Sequence, residues 1–541
     1  MATILSCLLL FPKLLLARSL TSFKDLTVEL NYATYQGFVA PENISQWRGI
    51  RFAAPPTGNR RFRNPQDPLV NETLQIADTF GPSCLASEAL IIPATSSEDC
   101  LFLNVFRPAI LKSTPLPVWI FIQGGGFNRI GNANWDPTAI IKASGDEIIV
   151  VTFNYRVSLY GFLTSKEIVE DGDLNVGLFD QRMVFQWVQG HISKFGGDPN
   201  SVMIGGDSAG AASVDLHLSA YGGKDEGLFH RAYASSPSFG AQLTVAESQY
   251  QYDSLVERVG CSNVTSTLQC LRDVDITLLQ SKNIYIPTPG GAGGNPVFMY
   301  SNVIDGNFTP DYTYNLYHTG QFLKIPVLMG NCVNEGTNYV PKNTSTVAEM
   351  NSFLRNQFTK LTAAQLNIID KFWPQAEQFP NSREYWRATS NAYGEIRYNC
   401  PGIAITSAYD EEEVADAYLY NYNVKDPVFE ASGTGVSHVA NTFLLWGLEY
   451  TTLGAASKPA SYYPNGTNAH IGPILRGYWT SFIRTGDPNP YRLEGTPVWE
   501  RFGKSLRRMN FETNSTAMHP IPAGQKARCR YASGIGGSLG L

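Results

Sequence analysis

Apolar residues along this chain fall into short unbroken blocks separated by polar, glycine-rich turns. Leu116–Gln123 (LPVWIFIQ) ends at a triple glycine, and Glu147–Tyr155 (EIIVVTFNY) is a second block. Val202–Gly206, Lys324–Asn331 (KIPVLMGN) and Ala417–Val424 (AYLYNYNV) repeat the pattern. Short apolar runs rich in β-branched and aromatic residues predict strands buried on both faces. Between the second and third runs the period changes. Over Leu178–Phe195, residues Val184, Trp187, Val188 and Ile192 share one face at helical spacing. Residues 209–220 (AGAASVDLHLSA) predict another helix directly after the third strand. Strand–helix–strand alternation predicts an α/β fold, a mostly parallel central sheet with helices on both faces. No internal repeat or second domain boundary interrupts the pattern. Residues 20–541 therefore read as one domain, closing on a short flexible tail, SGIGGSLGL.

Composition narrows the partners. Apolar residues make up 43% of the 541, enough for a sizeable core, and the net charge is only −6. No basic stripe is present, which excludes nucleic acid as an expected partner. Residues 4–16 (ILSCLLLFPKLLL) match the apolar core of a secretory signal peptide, with cleavage near Ala17 or Ser19, so residues 1–19 read as a leader. No later run of apolar residues is long enough to span a membrane. Seven N-x-[ST] sequons, at Asn43, Asn71, Asn263, Asn307, Asn343, Asn465 and Asn514, point the same way, toward a secreted glycoprotein. Of the eight cysteines, Cys7 would leave with the leader. Cys84 with Cys100, Cys261 with Cys270, and Cys400 with Cys529 are candidate pairs that spacing alone does not fix, with Cys332 left as a free thiol.

The chemistry centres on residues 202–210, VMIGGDSAG. Ser208 stands between two glycines, Gly206 and Gly210, each one residue removed, at the junction of a predicted strand and helix. This is the layout of a nucleophile elbow, in which Gly206 and Gly210 let strand and helix approach closely around a strained turn. The serine then sits at a helix N-terminus, where backbone N–H groups stabilise developing negative charge. Gly124–Gly125–Gly126, directly after a core strand, offer further N–H groups unobstructed by side chains. A serine nucleophile also needs a base and an orienting acid, and in α/β-hydrolases these follow in the order Ser, acid, His. Six of the seven histidines follow Ser208. His217 lies on the helix leaving the elbow, and His470 lies three residues after the Asn465 sequon. His438, in the small-residue loop GTGVSHVANTF, has the composition of a loop that delivers a base. Glu335, in GNCVNEG, stands just beyond the strand 324–331, on the rim where Ser208 is expected.

FGGDPNSVMIGGDSAG (195–210) and EDCLFLNVFRP (98–108) resemble the two signatures of the type-B carboxylesterase family, which includes cholinesterases and fungal lipases. RGIRFAAPPTGNRRF, NYRVSLYGFL, DQRMVFQWV and RTGDPNP resemble further family segments, so the likeness runs from about residue 30 to 530. The resemblance implies an α/β-hydrolase fold and a triad of Ser208, Glu335 and His438. It implies an oxyanion hole from the N–H groups of Gly125, Gly126 and Ala209. It implies disulfides 84–100 and 261–270, and it is compatible with 400–529. Two positions depart from the family: Gln123 stands where many relatives carry His or Tyr, and Asn441 where many carry an acid. The expected activity is hydrolysis of carboxylic esters of short to medium acyl length through an acyl-serine, without metal or organic cofactor. Long-chain lipid or sterol esters are the alternative substrates. A non-catalytic adhesion module of the same family is the alternative class, opposed by the complete Ser/Glu/His set. The loop 85–99 carries no Trp, so a choline-binding cation–π platform is missing there. The same loop is too short for a lid of the kind fungal lipases carry.

Overall fold

The computed structural model describes residues 26–541 except 132–133, 415 and 453–457, so the expected leader lies outside the described residues. An eleven-stranded sheet organises the chain. Its strands are β1 (Phe38–Ala40), β2 (Ile44–Arg51), β3 (Phe102–Pro108), β4 (Leu116–Ile122), β5 (Ile149–Phe153), β6 (Gly197–Asp207), β7 (Arg231–Ser235), β8 (Val327–Cys332), β9 (Ala417–Tyr422), β10 (Arg507–Phe511) and β11 (Ala517–Pro520). They lie in the order β1-β2-β3-β5-β4-β6-β7-β8-β9-β10-β11. The run from β5 to β10 is parallel throughout, while antiparallel hairpins finish both edges. The five apolar blocks are β4, β5, β6, β8 and β9, and all five fall in the parallel part.

Alternation along each strand divides the core into two layers. On β4, Val118, Ile120 and Ile122 face one layer while Trp119 and Phe121 face the other. On β9, Ala417 and Leu419 oppose Tyr418, Tyr420 and Tyr422 in the same way. Helix α1 (Val176–His191) buries Val184, Trp187 and Val188 on the first layer, and a 3₁₀ turn continues it through Ile192 to Phe195. Helix α2 (Ala209–Ser219) leaves β6 and is buried along its whole length. Helix α3 (Ala440–Trp446) and helix α4 (Ile471–Thr485) cover the second layer through Trp446, Leu475, Trp479 and Phe482.

The expected flexible tail is an error that the structure corrects. Residues 533–539 belong to helix α5 (Ala523–Leu539), and Leu539 and Leu541 are buried. The glycines that suggested mobility make a close-packed face instead: a Cβ on Gly536 would collide with the Tyr314 ring. Gln242 N–H caps the end by donating to Gly540 O at 2.7 Å.

All three candidate disulfides are formed, 84–100, 261–270 and 400–529, and Cys332 is a buried free thiol.

Candidate active site

Ser208 joins β6 to α2 with φ 57° and ψ −121°, a region that non-glycine residues enter only when their surroundings impose it. Two backbone bonds impose it here. Ser208 N–H donates to Ser235 O at the end of β7, and Ala212 N–H donates to Ser208 O, both at 2.9 Å. The flanking glycines are steric necessities. A Cβ on Gly206 would sit 2.6 Å from Ile122 O, and one on Gly210 would overlap the same carbonyl. The turn therefore passes directly against the end of β4.

The triple glycine begins where β4 ends. Gly124 N–H donates to Asp207 Oδ1 at 3.0 Å, tying this loop to the residue before the serine. Gly125 and Gly126 have φ of 122° and 66°. Side chains there would run into the Arg129 carbonyl and the Phe298 ring. The N–H groups of Gly125, Gly126 and Ala209 have no acceptor among the described residues. Gln123 is buried and donates to Phe153 O at 2.5 Å, so it staples the ends of β4 and β5 and leaves the glycine backbone to face the cavity.

Glu335 follows β8 and is fully buried. Its Oε1 accepts from Cys332 N–H at 2.6 Å and from Ser236 Oγ at 2.7 Å, and its Oε2 bonds His438 Nδ1. Those bonds fix the plane of the carboxyl group. His438 comes from the loop after β9, and Asn334 holds that loop against the Glu335 turn. Asn334 N–H donates to Val436 O at 2.9 Å, and Val436 N–H donates to Asn334 Oδ1 at 3.0 Å. Tyr398 packs on the imidazole with centroids 4.5 Å apart, and Tyr339 lies edge-on at 5.5 Å. With Nδ1 bound to Glu335, His438 Nε2 is the free edge, and it has no hydrogen-bond partner among the described residues. Asn441, the second departure from the family pattern, donates to Ser235 Oγ at 3.1 Å and accepts from the Cys332 thiol at 3.5 Å. It serves the floor beneath the serine and acid turns.

Ser208, His438 and all three glycines open into one cavity of about 760 Å³. Its walls are aromatic, with Trp135 and Phe443 forming one ring pair and Phe298 and Tyr339 another. The rejected histidines lie elsewhere: His217 is buried against Gln181 Oε1, and His470 bonds Thr513 O. Asn334, Ser236, Tyr339 and Tyr398 escaped sequence reasoning. Only Asn334 had a usable signal, its place beside Glu335.

The loop 85–99 contains no helix. Gln280 Nε2 donates to both Ala86 O and Ala89 O at 2.7 Å, and Glu88 N–H donates to Asn283 O at 2.9 Å. Leu90 and Ile91 are exposed beyond these straps. Among the described residues no cluster of His, Cys, Asp or Glu has metal-binding geometry, and no helix is long and apolar enough to cross a membrane.

A serine in a strained strand-to-helix turn at the end of a central parallel strand defines an α/β-hydrolase, here with acid and imidazole on loops after two later strands. Residues 24–530 match the carboxylesterase family model. Secreted lipase 4 of Gibberella zeae is 32% identical over 489 residues, 85% of this chain and 83% of that protein. Lipase 2 of Geotrichum candidum is 32% identical over 379 residues, covering 61% of this chain and 67% of its own length. The crystal structure of Aspergillus niger EstA superposes with a TM-score of 0.92 at 39% identity, over 95% of this chain and 99% of that one. The chain belongs to the carboxylesterase family, and it is a serine hydrolase of carboxylic esters.

Proposed function

We propose that Ser208 is the nucleophile of a secreted esterase acting on soluble esters of short to medium acyl length. His438 Nε2 takes the Ser208 proton as Oγ attacks the ester carbonyl. Glu335 holds the imidazole tautomer and stabilises the imidazolium. The N–H groups of Gly125, Gly126 and Ala209 receive the developing oxyanion. The imidazolium then protonates the departing alcohol, and water activated by His438 releases the acid from the acyl-serine. The observation that carries this reading is the Glu335–His438 bond, which leaves Nε2 as the free edge of an imidazole in the cavity that Ser208 lines. In unliganded hydrolases the serine–imidazole bond is often long and tightens only when substrate arrives.

The preference for soluble esters rests on the strapped 85–99 loop, which leaves no flap to swing from the mouth. Secretion is supported by relatives with secreted in their names and by the three disulfides, which persist in oxidising compartments. Exposed Leu90 and Ile91 favour a second reading, a lipase, because an apolar rim can meet a lipid surface.

A fluorophosphonate probe should label Ser208 and abolish hydrolysis of a p-nitrophenyl butyrate substrate. Ser208→Ala should lose at least about 10³-fold in kcat while keeping its unfolding midpoint. Labelling elsewhere with loss of activity overturns the assignment. Saturation that continues smoothly past the substrate's solubility limit supports the esterase. A jump in rate at that limit supports the lipase.

A further inference from the structure

We propose that a small cavity beside the catalytic one binds a single monovalent anion, of the size of chloride, as the counter-ion of Arg397. The site is separate from the reacting atoms, so it stands or falls independently of the ester that the enzyme accepts.

Arg397 belongs to a π-helical turn, Glu395–Asn399, and is only 6% exposed. Its Nε donates to Ser238 Oγ at 3.0 Å. The guanidinium carbon lies 5.2 Å from the centre of the Phe298 ring and 5.8 Å from those of Tyr393 and Tyr398. Ring faces return only part of the hydration that a buried cation gives up. Arg397 forms no ion pair among the described residues, and Glu395, the acid on the same turn, is engaged by Arg528. A tyrosinate does not supply the missing charge, because burial pushes the phenols of Tyr339, Tyr393 and Tyr398 well up. A buried charge without a partner of opposite sign is costly, and this cation has none from the protein.

The cavity next to it holds about 30 Å³ and has no acid on its wall. Gly240 and Ala241 line it, and neither N–H has an acceptor among the described residues. Asn356 also lines it. Its Oδ1 accepts from the N–H groups of Ala292 at 2.8 Å and Gly294 at 3.2 Å, which leaves Nδ2 as a further donor. A guanidinium, two backbone N–H groups and an amide N–H, with no carboxylate among them, make an anion site. The volume suits an ion as large as one or two waters, a halide and not a tetrahedral oxyanion. Phe298 lines this cavity and the catalytic one, and Tyr398 packs on the His438 imidazole. The anion therefore fixes a guanidinium that braces two rings of the active site.

The test uses the full chain dialysed into gluconate, an anion too large for the cavity, with chloride or bromide then titrated in at constant ionic strength. The unfolding midpoint should rise along a saturation curve, as it does for a ligand that binds only the folded state. Hydrogen bonds to a charged group are strong enough that Arg397→Gln should weaken the fitted halide affinity at least about tenfold. Two milder variants carry the test if Arg397→Gln does not fold. Gly240→Ala sets a methyl group 2.9 Å from Arg397 Nη2 and should flatten the curve. Asn356→Asp keeps an oxygen for the N–H groups of Ala292 and Gly294 and brings a carboxylate to the wall. It should lose the halide dependence and unfold in gluconate at a higher midpoint than the wild type. In crystals soaked in bromide, anomalous scattering should place an ion against Arg397. Three results overturn the proposal: a wild-type midpoint that ignores halide at constant ionic strength, an equal response in every variant that folds, or bromide bound elsewhere with none at Arg397.

Discussion

Replacing Asp215 with Asn should stabilise this protein, and the gain should grow with pH. Asp215 lies in the middle of α2, the helix that starts at Ser208, and is fully buried. Neither carboxyl oxygen has a hydrogen-bond partner among the described residues. The rings of Tyr317 and Tyr409 stand near it, and the Tyr317 hydroxyl donates to the Asp215 backbone carbonyl at 3.2 Å, not to the side chain. Burial without a cation or donor pushes the Asp215 carboxyl well above the usual carboxylate range.

The sign follows from linkage. A raised native pKa means that the folded state binds more protons than the unfolded chain, so stability falls as pH rises from the unfolded value of about 3.9 toward the native one. Each pH unit over which the folded carboxyl stays protonated while the unfolded one is ionised costs about 1.4 kcal/mol, so the penalty grows from pH 5 toward neutral pH. Asn buries an equally partnerless polar group but has no proton to take up. Asp215→Asn should therefore gain stability at both values, and more at pH 7 than at pH 5. With an unfolding entropy near 2.1 cal/mol/K per residue, each such pH unit corresponds to a difference of about 1 °C in midpoint. Differential scanning calorimetry of both proteins at the two pH values checks this. An equal shift at both, or a loss of stability at pH 7, refutes the reasoning and means that the native carboxyl is ionised and compensated.

Other outcomes follow from the same structure. Burial beside Glu335 pushes the Cys332 thiol well up, so iodoacetamide should leave it unmodified in the native protein and alkylate it in denaturant; native labelling would contradict the buried position. Gly206→Ala, with its Cβ against backbone on two sides, should cost about 3 kcal/mol or more and lose activity through misplacement of Ser208, seen as a lower midpoint together with a lower kcat. Glu335→Gln should keep the fold but cut kcat by about 10³–10⁴, because the amide favours the wrong imidazole tautomer; a tenfold effect would mean that another group orients His438. Asn334→Ala removes one clasp between the acid and base loops and should lower kcat with little change in KM, measured on a soluble ester.

The parallel centre of the sheet was legible because its strands are buried on both faces. Such strands must be apolar at every position, and β4, β5, β6, β8 and β9 stand out from any neighbouring pattern. The outer strands β1, β2, β10 and β11 mix polar with apolar residues and merge with loops. Strand β7 (RAYAS) escaped because Tyr233 is the one large apolar side chain among its buried residues, beside Ala232, Ala234 and Ser235. Ser208 and the glycines were readable because steric demands leave little choice of residue there. Glu335 and His438 were readable mainly through chain order and resemblance, since their approach depends on loops after β8 and β9 whose shape no local periodicity records. The tail failed for a related reason. Glycine marks either freedom or close approach, and only the Tyr314 ring facing Gly536 decides between them.

The site is held by ties that converge from distant parts of the chain. Residues Glu395–Asn399 form a π-helical turn, a wider coil that often appears at functional sites. From it, Asn399 Nδ2 donates to Cys332 O at 2.9 Å, and Tyr398 O accepts from Asn331 Nδ2 at 2.7 Å. Both bonds grip the end of β8, three to four residues before Glu335. The next residue, Cys400, is locked to Cys529 on α5, closing a loop of 129 residues. A crosslink over so long a span removes on the order of 4–5 kcal/mol of unfolded-state entropy in the chain-entropy model. The buried helix end at Leu539 and Leu541 is thus continuous, through one disulfide and one π-turn, with the carboxylate that orients the imidazole. The glycine loop and the strapped 85–99 segment fix the opposite wall. A gorge braced from both sides agrees with the proposed preference for soluble esters.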